Sequence, residues 1–207
     1  MAIHYRTNTL ILKKRDQGEA DRVFTMYTEK FGKIDLRAVS ERKINSKLRG
    51  GLELFYVSDV EFIQGKFFKI LTDAVIVERH GNIREDLIRL RIAYRVSELM
   101  DRIVHGQEAD KNIWKLLREV FETLNQNGLS VTTYKLLPYY FLWNLLSHSG
   151  YRPLLDHPVL EKEDQKTIYL IKLFLSQNVH ALSELQISEE GRKMLRTTSY
   201  NYLTKIF

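Results

Sequence analysis

The 207-residue sequence predicts an α+β chain: a small five-stranded β-barrel over residues 1–80 and an all-α domain over residues 81–207. Two observations carry that division. Apolar residues alternate with period two as far as His80-Gly81 and recur with the helical period beyond it. The five alternating runs are also rich in Val, Ile, Phe and Tyr, which suit a pleated, half-buried surface. No low-complexity linker separates the halves, so they are expected to pack against each other.

The strand-like runs are Thr9 to Lys14, Arg22 to Thr28, Lys33 to Val39, Leu52 to Gln64 and Lys66 to Glu78. Gly32 between the second and third, and Gln64-Gly65 between the fourth and fifth, are hairpin signals. The segment from Glu41 to Leu48 is too polar for a central strand and has room for one helical turn. Five short strands with a longer connection after the third suit the oligonucleotide/oligosaccharide-binding (OB) barrel, a strand count that other small barrels share.

Past the boundary, Asn82 followed three positions on by Glu85 reads as a helix cap. Leu87, Ile88, Leu90, Ile92, Ala93, Val96 and Leu99 then form its apolar face. Asp110 caps a second helix with Ile113, Trp114, Leu116, Leu117, Val120, Phe121 and Leu124, ending near Asn127-Gly128. A third, from about Ser130 to His148, is apolar on most faces, as in the centre of a bundle. Pro138 inside it should kink or restart it, Gly150 ends it and Pro153 blocks continuation. Thr167 to Ser176 is a fourth helix, and Ser188-Glu189-Glu190 opens a last one reaching at least Tyr202.

Composition narrows the function. A net charge of +6 favours a polyanionic partner over a basic one. The absence of Cys excludes disulfides, thiolate zinc sites and a cysteine nucleophile, and fits a reducing compartment. The N-terminus lacks the apolar run of a secretory signal, and no apolar stretch approaches the length of a membrane span, which together indicate a soluble cytoplasmic protein. Phosphate-loop, dinucleotide, zinc-protease and nucleophile-elbow motifs are all missing, so no enzyme is expected. His148, between Ser147 and Ser149, reads as a helix-end histidine facing the dipole. His157 and His180 have no partners at ligand spacing, so no metal and no cofactor are expected.

The segment Arg37 to Gly51 carries five cations and one carboxylate between two strands. On an OB barrel such a loop can follow a phosphate backbone, because Lys and Arg release condensed counterions from a polyanion. Lys33 and Arg37 are four apart on strand three and point to one face, with Ile34, Leu36 and Ala38 on the other. Arg22 extends that face, and Arg42, Lys43, Lys47 and Arg49 lengthen the stripe. Lys13-Lys14-Arg15 is a second cluster, weakened by Asp16 and Glu19. The candidate nucleic-acid contacts are therefore Lys13, Arg15, Arg22, Lys33, Arg37, Arg42, Lys43, Lys47 and Arg49. Tyr27 and Phe31 can stack on bases but equally serve as packing residues. A solvated basic surface on an interaction scaffold is the bland alternative. An RNA-binding OB factor of translation or ribosome assembly is another, separable by its response to the 2′-hydroxyl. On the first helix, Arg84, Arg89, Arg91, Arg95 and Arg102 alternate with carboxylates; pairs such as Glu98 with Arg102 account for much of this. An arginine beside an apolar groove there would suit the C-terminal carboxylate of a partner.

Several segments follow one another in a set order: Leu10-Ile11-Leu12-Lys13, Gly18-Glu19-Ala20-Asp21-Arg22-Val23, Tyr27-Thr28-Glu29-Lys30-Phe31-Gly32-Lys33-Ile34 and Ser46-Lys47-Leu48-Arg49-Gly50-Gly51-Leu52-Glu53. Far downstream comes Leu145-Leu146-Ser147-His148-Ser149-Gly150-Tyr151-Arg152-Pro153-Leu154-Leu155. In this order they resemble the RecO family of DNA repair and recombination mediators. The resemblance implies an OB fold, a helical C-terminal domain and binding of single- and double-stranded DNA without a cofactor. It also implies strand annealing and, with RecR, help in loading RecA onto strands coated by single-strand DNA-binding protein, whose C-terminal tail would be a contact. The family's DNA-contacting hairpin lysine, and the arginine four positions on, fall on Lys33 and Arg37. A bacterial, nucleoid-associated location in the cytoplasm follows from the same likeness. Many members carry a four-cysteine zinc module after Gly-Tyr-x-Pro; the stretch from Pro153 through His157 to Lys166 has no Cys, so zinc is not expected.

Overall fold

The computed structural model describes residues 3–151 and 164–207. The expected helix stop at Pro153, the residue His157 and most of the cysteine-free stretch lie outside the described residues. The chain opens with β1 (His4–Gln17), β2 (Asp21–Thr28), β3 (Gly32–Ala38), β4 (Val57–Gln64) and β5 (Lys69–Glu78). These close a barrel in the order β1-β2-β3-β5-β4, antiparallel except for the short β3–β5 pairing at Leu36 with Lys69 and Arg37 with Ile70. The five-stranded OB fold is thereby in place, and helices follow it as the sequence predicts.

Strand limits differ from the sequence reading in instructive ways. β1 is longer, because its first half pairs with β4 from His4 to Leu10 and its second half with β2 from Thr9 to Gln17. One strand thus serves two neighbours and closes the barrel, a non-local demand that local alternation does not reveal. β4 starts at Val57 rather than Leu52. Gly51 lies so close to the Ala74 carbonyl that a Cβ there would sit 2.0 Å from its oxygen, and Phe55 turns at φ 69. β5 starts at Lys69, leaving Lys66, Phe67 and Phe68 as the hairpin tip. Between β3 and β4 a short 3-10 turn occupies Arg49–Gly51, just beyond the segment expected to hold a helical turn.

The helices are α1 (Gly81–Glu85), α2 (Leu87–Ile103), α3 (Lys111–Asn125), α4 (Val131–His148), α5 (Gln165–Ser176) and α6 (Glu189–Ile206). Asn82 is not the cap of the long helix. It sits inside α1, where its Nδ2 donates to the Asn125 carbonyl at 2.6 Å. Asp86 caps α2 instead, its Oδ1 accepting from the N–H groups of Ile88 and Arg89. The shift turns Leu87 and Ile88 out to solvent rather than into the core. Asp110 and Ser188 cap as expected, Ser130 caps α4 at its expected start, and Asp164 caps α5. α4 passes Pro138 without restarting. A mid-helix proline costs about 3 kcal/mol. Against it, Leu136, Leu137, Phe141, Trp143, Leu145 and Leu146 are all fully buried, each contributing about 1.5–3 kcal/mol.

Two cores result. Ile11, Phe24, Met26, Ile34, Leu36, Val60 and Phe62 fill the barrel. Leu10, Leu12, Tyr27, Phe55 and Val57 join the helical core on its outer wall. A register shift between Ile11 and Lys13 helps β1 serve both cores. Phe55 meets Tyr94 edge-on and stacks with Phe121, fastening the barrel to α2 and α3.

Candidate nucleic-acid interface

On β3 the burial pattern alternates as the sequence demands, with Ile34, Leu36 and Ala38 buried and Lys33, Asp35 and Arg37 on the outer face. Lys33 and Arg37 do share a side of the barrel. Two features of that side were not read from the sequence. Asp35 stands between them, and the helical domain covers part of the wall: Lys33 pairs across the sheet with Tyr27, which is fully buried in the shared core.

Lys33 therefore works as a strut between the domains. Its Nζ donates to the Asp101 carbonyl at 3.0 Å and lies 3.4 Å from Asp101 Oδ1, leaving the side chain 16% exposed. Lys13 Nζ donates to Asp101 Oδ2 at 2.7 Å. Held first by Lys13 and then by Lys33, the Asp101 carboxyl titrates below the usual carboxylate range. Arg37 is engaged by Asp21, whose Oδ2 accepts from Nε at 2.9 Å and from Nη2 at 2.6 Å. Asp21 Oδ1 accepts the Ser40 N–H at 2.8 Å, and this backbone bond, with Arg37, lowers the Asp21 pKa. Asp21 so fixes Ser40 at φ 54, the left-handed turn that starts the basic loop.

The next cations are clamps. Arg22 Nε donates to Asp16 Oδ1 at 2.7 Å, and its Nη1 stands 3.2 Å from the buried Glu41 carboxylate without the alignment of a hydrogen bond. Arg42 donates to the Gly18 carbonyl at 3.3 Å and lies 3.6 Å from Asp16. The Arg42 N–H donates to the Ala20 carbonyl at 2.9 Å. Together these bonds tie the β3–β4 loop to the β1–β2 turn. Beyond the clamps, Lys43, Lys47 and Arg49 are exposed and form no ion pair among the described residues. Arg15 approaches Asp35 only at 3.8 Å. A groove of about 540 Å³ runs along the barrel wall beneath the helical domain, with Lys13, Arg15, Lys33 and Asp35 on one side and Asp101, Gly106 and Gln107 on the other.

Tyr27 and Phe31 are packing residues. Tyr27 Oη donates to the Asp110 carbonyl at 3.3 Å and accepts its N–H at 3.2 Å, and burial raises its pKa. Phe31 packs edge-on against Tyr5 and Phe62 at the barrel end. On α2, Glu98 and Arg102 form no ion pair among the described residues. Arg84 instead meets Glu53 at 2.7 Å, and Arg89 is buried, donating to the Leu124 carbonyl at 3.0 Å. Arg91 and Arg95 line a second cleft of about 540 Å³ between α2, α4 and α6. Ile88, Pro138, Tyr134 and Tyr139 give it apolar surface, while Lys135, Arg192, Lys193 and Arg196 add charge against the lone carboxylate of Glu189.

Two family models match the chain: Recombination protein O N terminal over residues 1–80, and Recombination protein O C terminal over residues 84–166. The DNA repair protein RecO of Syntrophomonas wolfei is 32% identical over 170 residues, 81% of this chain and 66% of the relative. That of Roseiflexus sp. is 33% identical over 154 residues, 73% of this chain and 52% of the relative. One from Dehalococcoides mccartyi strain 195 is 35% identical over 149 residues, 72% of this chain and 57% of the relative. The chain belongs to the RecO family. It spans about half to two thirds of the length of these curated RecO relatives. The boundary between the two RecO models falls between β5 and α2, and α6 with its share of the helical cleft lies beyond both. Among the described residues, no helix is long and apolar enough to cross a membrane.

Proposed function

We propose that the protein is a non-enzymatic mediator of DNA repair and homologous recombination. It binds single- and double-stranded DNA on the barrel, promotes annealing of complementary strands, and with RecR assists loading of RecA. The observation that carries this reading is the exposed trio Lys43, Lys47 and Arg49, which form no ion pair among the described residues, on a loop clipped to the β1–β2 turn of the barrel whose wall also carries the Lys13–Arg15–Lys33 groove. A loop fixed by side-chain and backbone bonds presents its charges without a large ordering cost on binding. Charges so arranged grip phosphates without reading bases.

The nine sequence-derived contacts do not weigh equally in this proposal. Lys43, Lys47 and Arg49 are the primary phosphate contacts, with Lys13 and Arg15 along the groove. Arg22, Arg37 and Arg42 hold the loop in place, and Lys33 acts chiefly through the domain junction. The helical cleft is the place proposed for the C-terminal tail of single-strand DNA-binding protein: Arg91 or Arg95 suits its terminal carboxylate beside an apolar floor.

The test is annealing of complementary strands precoated with the cognate single-strand DNA-binding protein, in the absence of nucleotide. Acceleration by the protein, lost on charge reversal of the trio, is the expected result; no acceleration at any concentration contradicts the proposal. Competition with a matched RNA strand separates it from an RNA-binding OB factor, for which RNA would displace DNA.

A further inference from the structure

We propose that Phe67 and Phe68, at the tip of the β4–β5 hairpin, form a stacking site for the unpaired bases of a single strand; this rests on the nucleic-acid reading above and extends it to residues outside the basic loop. Phe67 is 78% exposed and Phe68 49% exposed. Two adjacent aromatic rings turned to water lose the free energy that burial would give them, and neither core of the fold uses them. The tip is nonetheless built. A Cβ on Gly65 would fall 2.6 Å from the Phe68 carbonyl oxygen, and the Gly65 N–H donates to that oxygen at 2.9 Å, so the turn is tight.

Charge identifies the occupant. Lys66 Nζ lies 5.3 Å from the Phe67 ring centre, and the Arg37 guanidinium lies 5.7 Å from that of Phe68. The stretch Gln64 to Lys69 contains no carboxylate. Arg37 is itself paired with Asp21, so the uncompensated charge at the tip is that of Lys66. Two exposed rings with cations beside them and no carboxylate in their own turn fit a partner that offers flat π faces joined by anionic links, which describes single-stranded nucleic acid. The patch also continues into a linear track: Lys69 Nζ donates to Gln107 Oε1 at 2.9 Å, and Gln107 lines the groove that holds Lys13 and Lys33. A strand lying in the groove would reach the rings with its bases free. Duplex DNA, whose base faces are already stacked, would gain little from them.

The test compares the full chain with Phe67→Leu/Phe68→Leu, which keeps apolar bulk and removes the flat faces, and with Phe67→Trp/Phe68→Trp. Affinity is read by fluorescence anisotropy for an oligothymidylate and for a duplex of the same length. The Leu pair is expected to weaken single-strand binding by about fivefold or more while duplex affinity stays within about twofold, and the Trp pair to retain both. Quenching of a 2-aminopurine base in the strand should accompany binding by the wild type and disappear with the Leu pair. Unchanged strand affinity in the Leu pair, or equal losses for strand and duplex, overturns the stacking site while leaving general DNA binding intact. A wild type that binds neither overturns both. Binding to phosphatidylserine vesicles that depends on the two rings, with strand affinity unchanged, assigns the tip to a lipid surface and also overturns the proposal.

Discussion

Lys33 shows how one residue can be placed correctly on a face and still serve two ends. Its alternation with Ile34 and Leu36 sets its direction, but its partner Asp101 lies 68 positions away on α2, where no local pattern reveals it. Lys33→Glu would set a new carboxylate against Asp101 and so disturb the junction as well as any phosphate contact. Lys33→Gln is the cleaner probe: because Asp101 is half exposed and solvent screens the pair, the loss of stability in denaturant titration is expected at about 1 kcal/mol or less. Asp21 is similar. Its place in the Gly18-Glu19-Ala20-Asp21 segment marked it as part of a pattern, whereas the structure gives the reason, a carboxylate that orients Arg37 and the Ser40 backbone together. His80 belongs to the same scale. It is buried, its Nδ1–H donates to the Phe55 carbonyl, and burial holds its pKa below the ordinary 6.5. A histidine kept neutral in the fold binds fewer protons than in the unfolded chain, so stability is expected to fall as pH drops below about 6.5, with Asp16, Asp21 and Asp101 still ionised in that window. Thermal melts at about pH 7 and about pH 5.5 check this. His80→Asn, whose amide can still donate to Phe55, should show a flatter pH response, and an equal slope in both proteins would refute the assignment.

At the scale of elements, the short signals read well and the long-range ones did not. Caps at Asp110 and Ser188 and hairpins at Gly32 and Gly65 follow from residue chemistry within a few positions, so they were legible. The start of α2 was misplaced because Asn82 and Asp86 are both good caps four residues apart, and the choice fell to the Asn82–Asn125 contact across the bundle. The hairpin tip was absorbed into β5 because Phe67 and Phe68 have strand propensity. Adjacent residues of a strand point to opposite faces, however, so two consecutive aromatics beside a turn glycine could have been read as a warning. Gly32 gives a sharper expectation. It turns at φ 62 between β2 and β3, and a Cβ there would lie 2.4 Å from the Glu108 carbonyl oxygen in the loop before α3. Gly32→Ala combines left-handed strain with that clash, and a loss of about 1–3 kcal/mol in a denaturant titration is expected. A change of only a few tenths would show that the loop before α3 yields freely.

For the molecule as a whole, the barrel and the helical domain were each visible in periodicity, but their shared core was not. Leu10, Leu12, Tyr27, Phe55 and Val57 read as ordinary barrel residues until α2 and α3 are packed on them. That packing turns Lys13 and Lys33 into struts on Asp101, while Asp16 and Asp21 within the barrel make clamps of Arg22, Arg37 and Arg42. The free charges Lys43, Lys47 and Arg49 are the ones on which the proposed function depends. The most direct test is the salt dependence of single-strand affinity for the wild type and for Lys43→Glu/Lys47→Glu/Arg49→Glu. All three positions are exposed and form no ion pair among the described residues, so stability should change by no more than about 0.5 kcal/mol per site. The slope of log affinity against log salt should become shallower by at least about two, since each lost phosphate contact removes about 0.7 from it. A folded triple variant with the wild-type slope and affinity would contradict the proposal that this loop holds the DNA backbone.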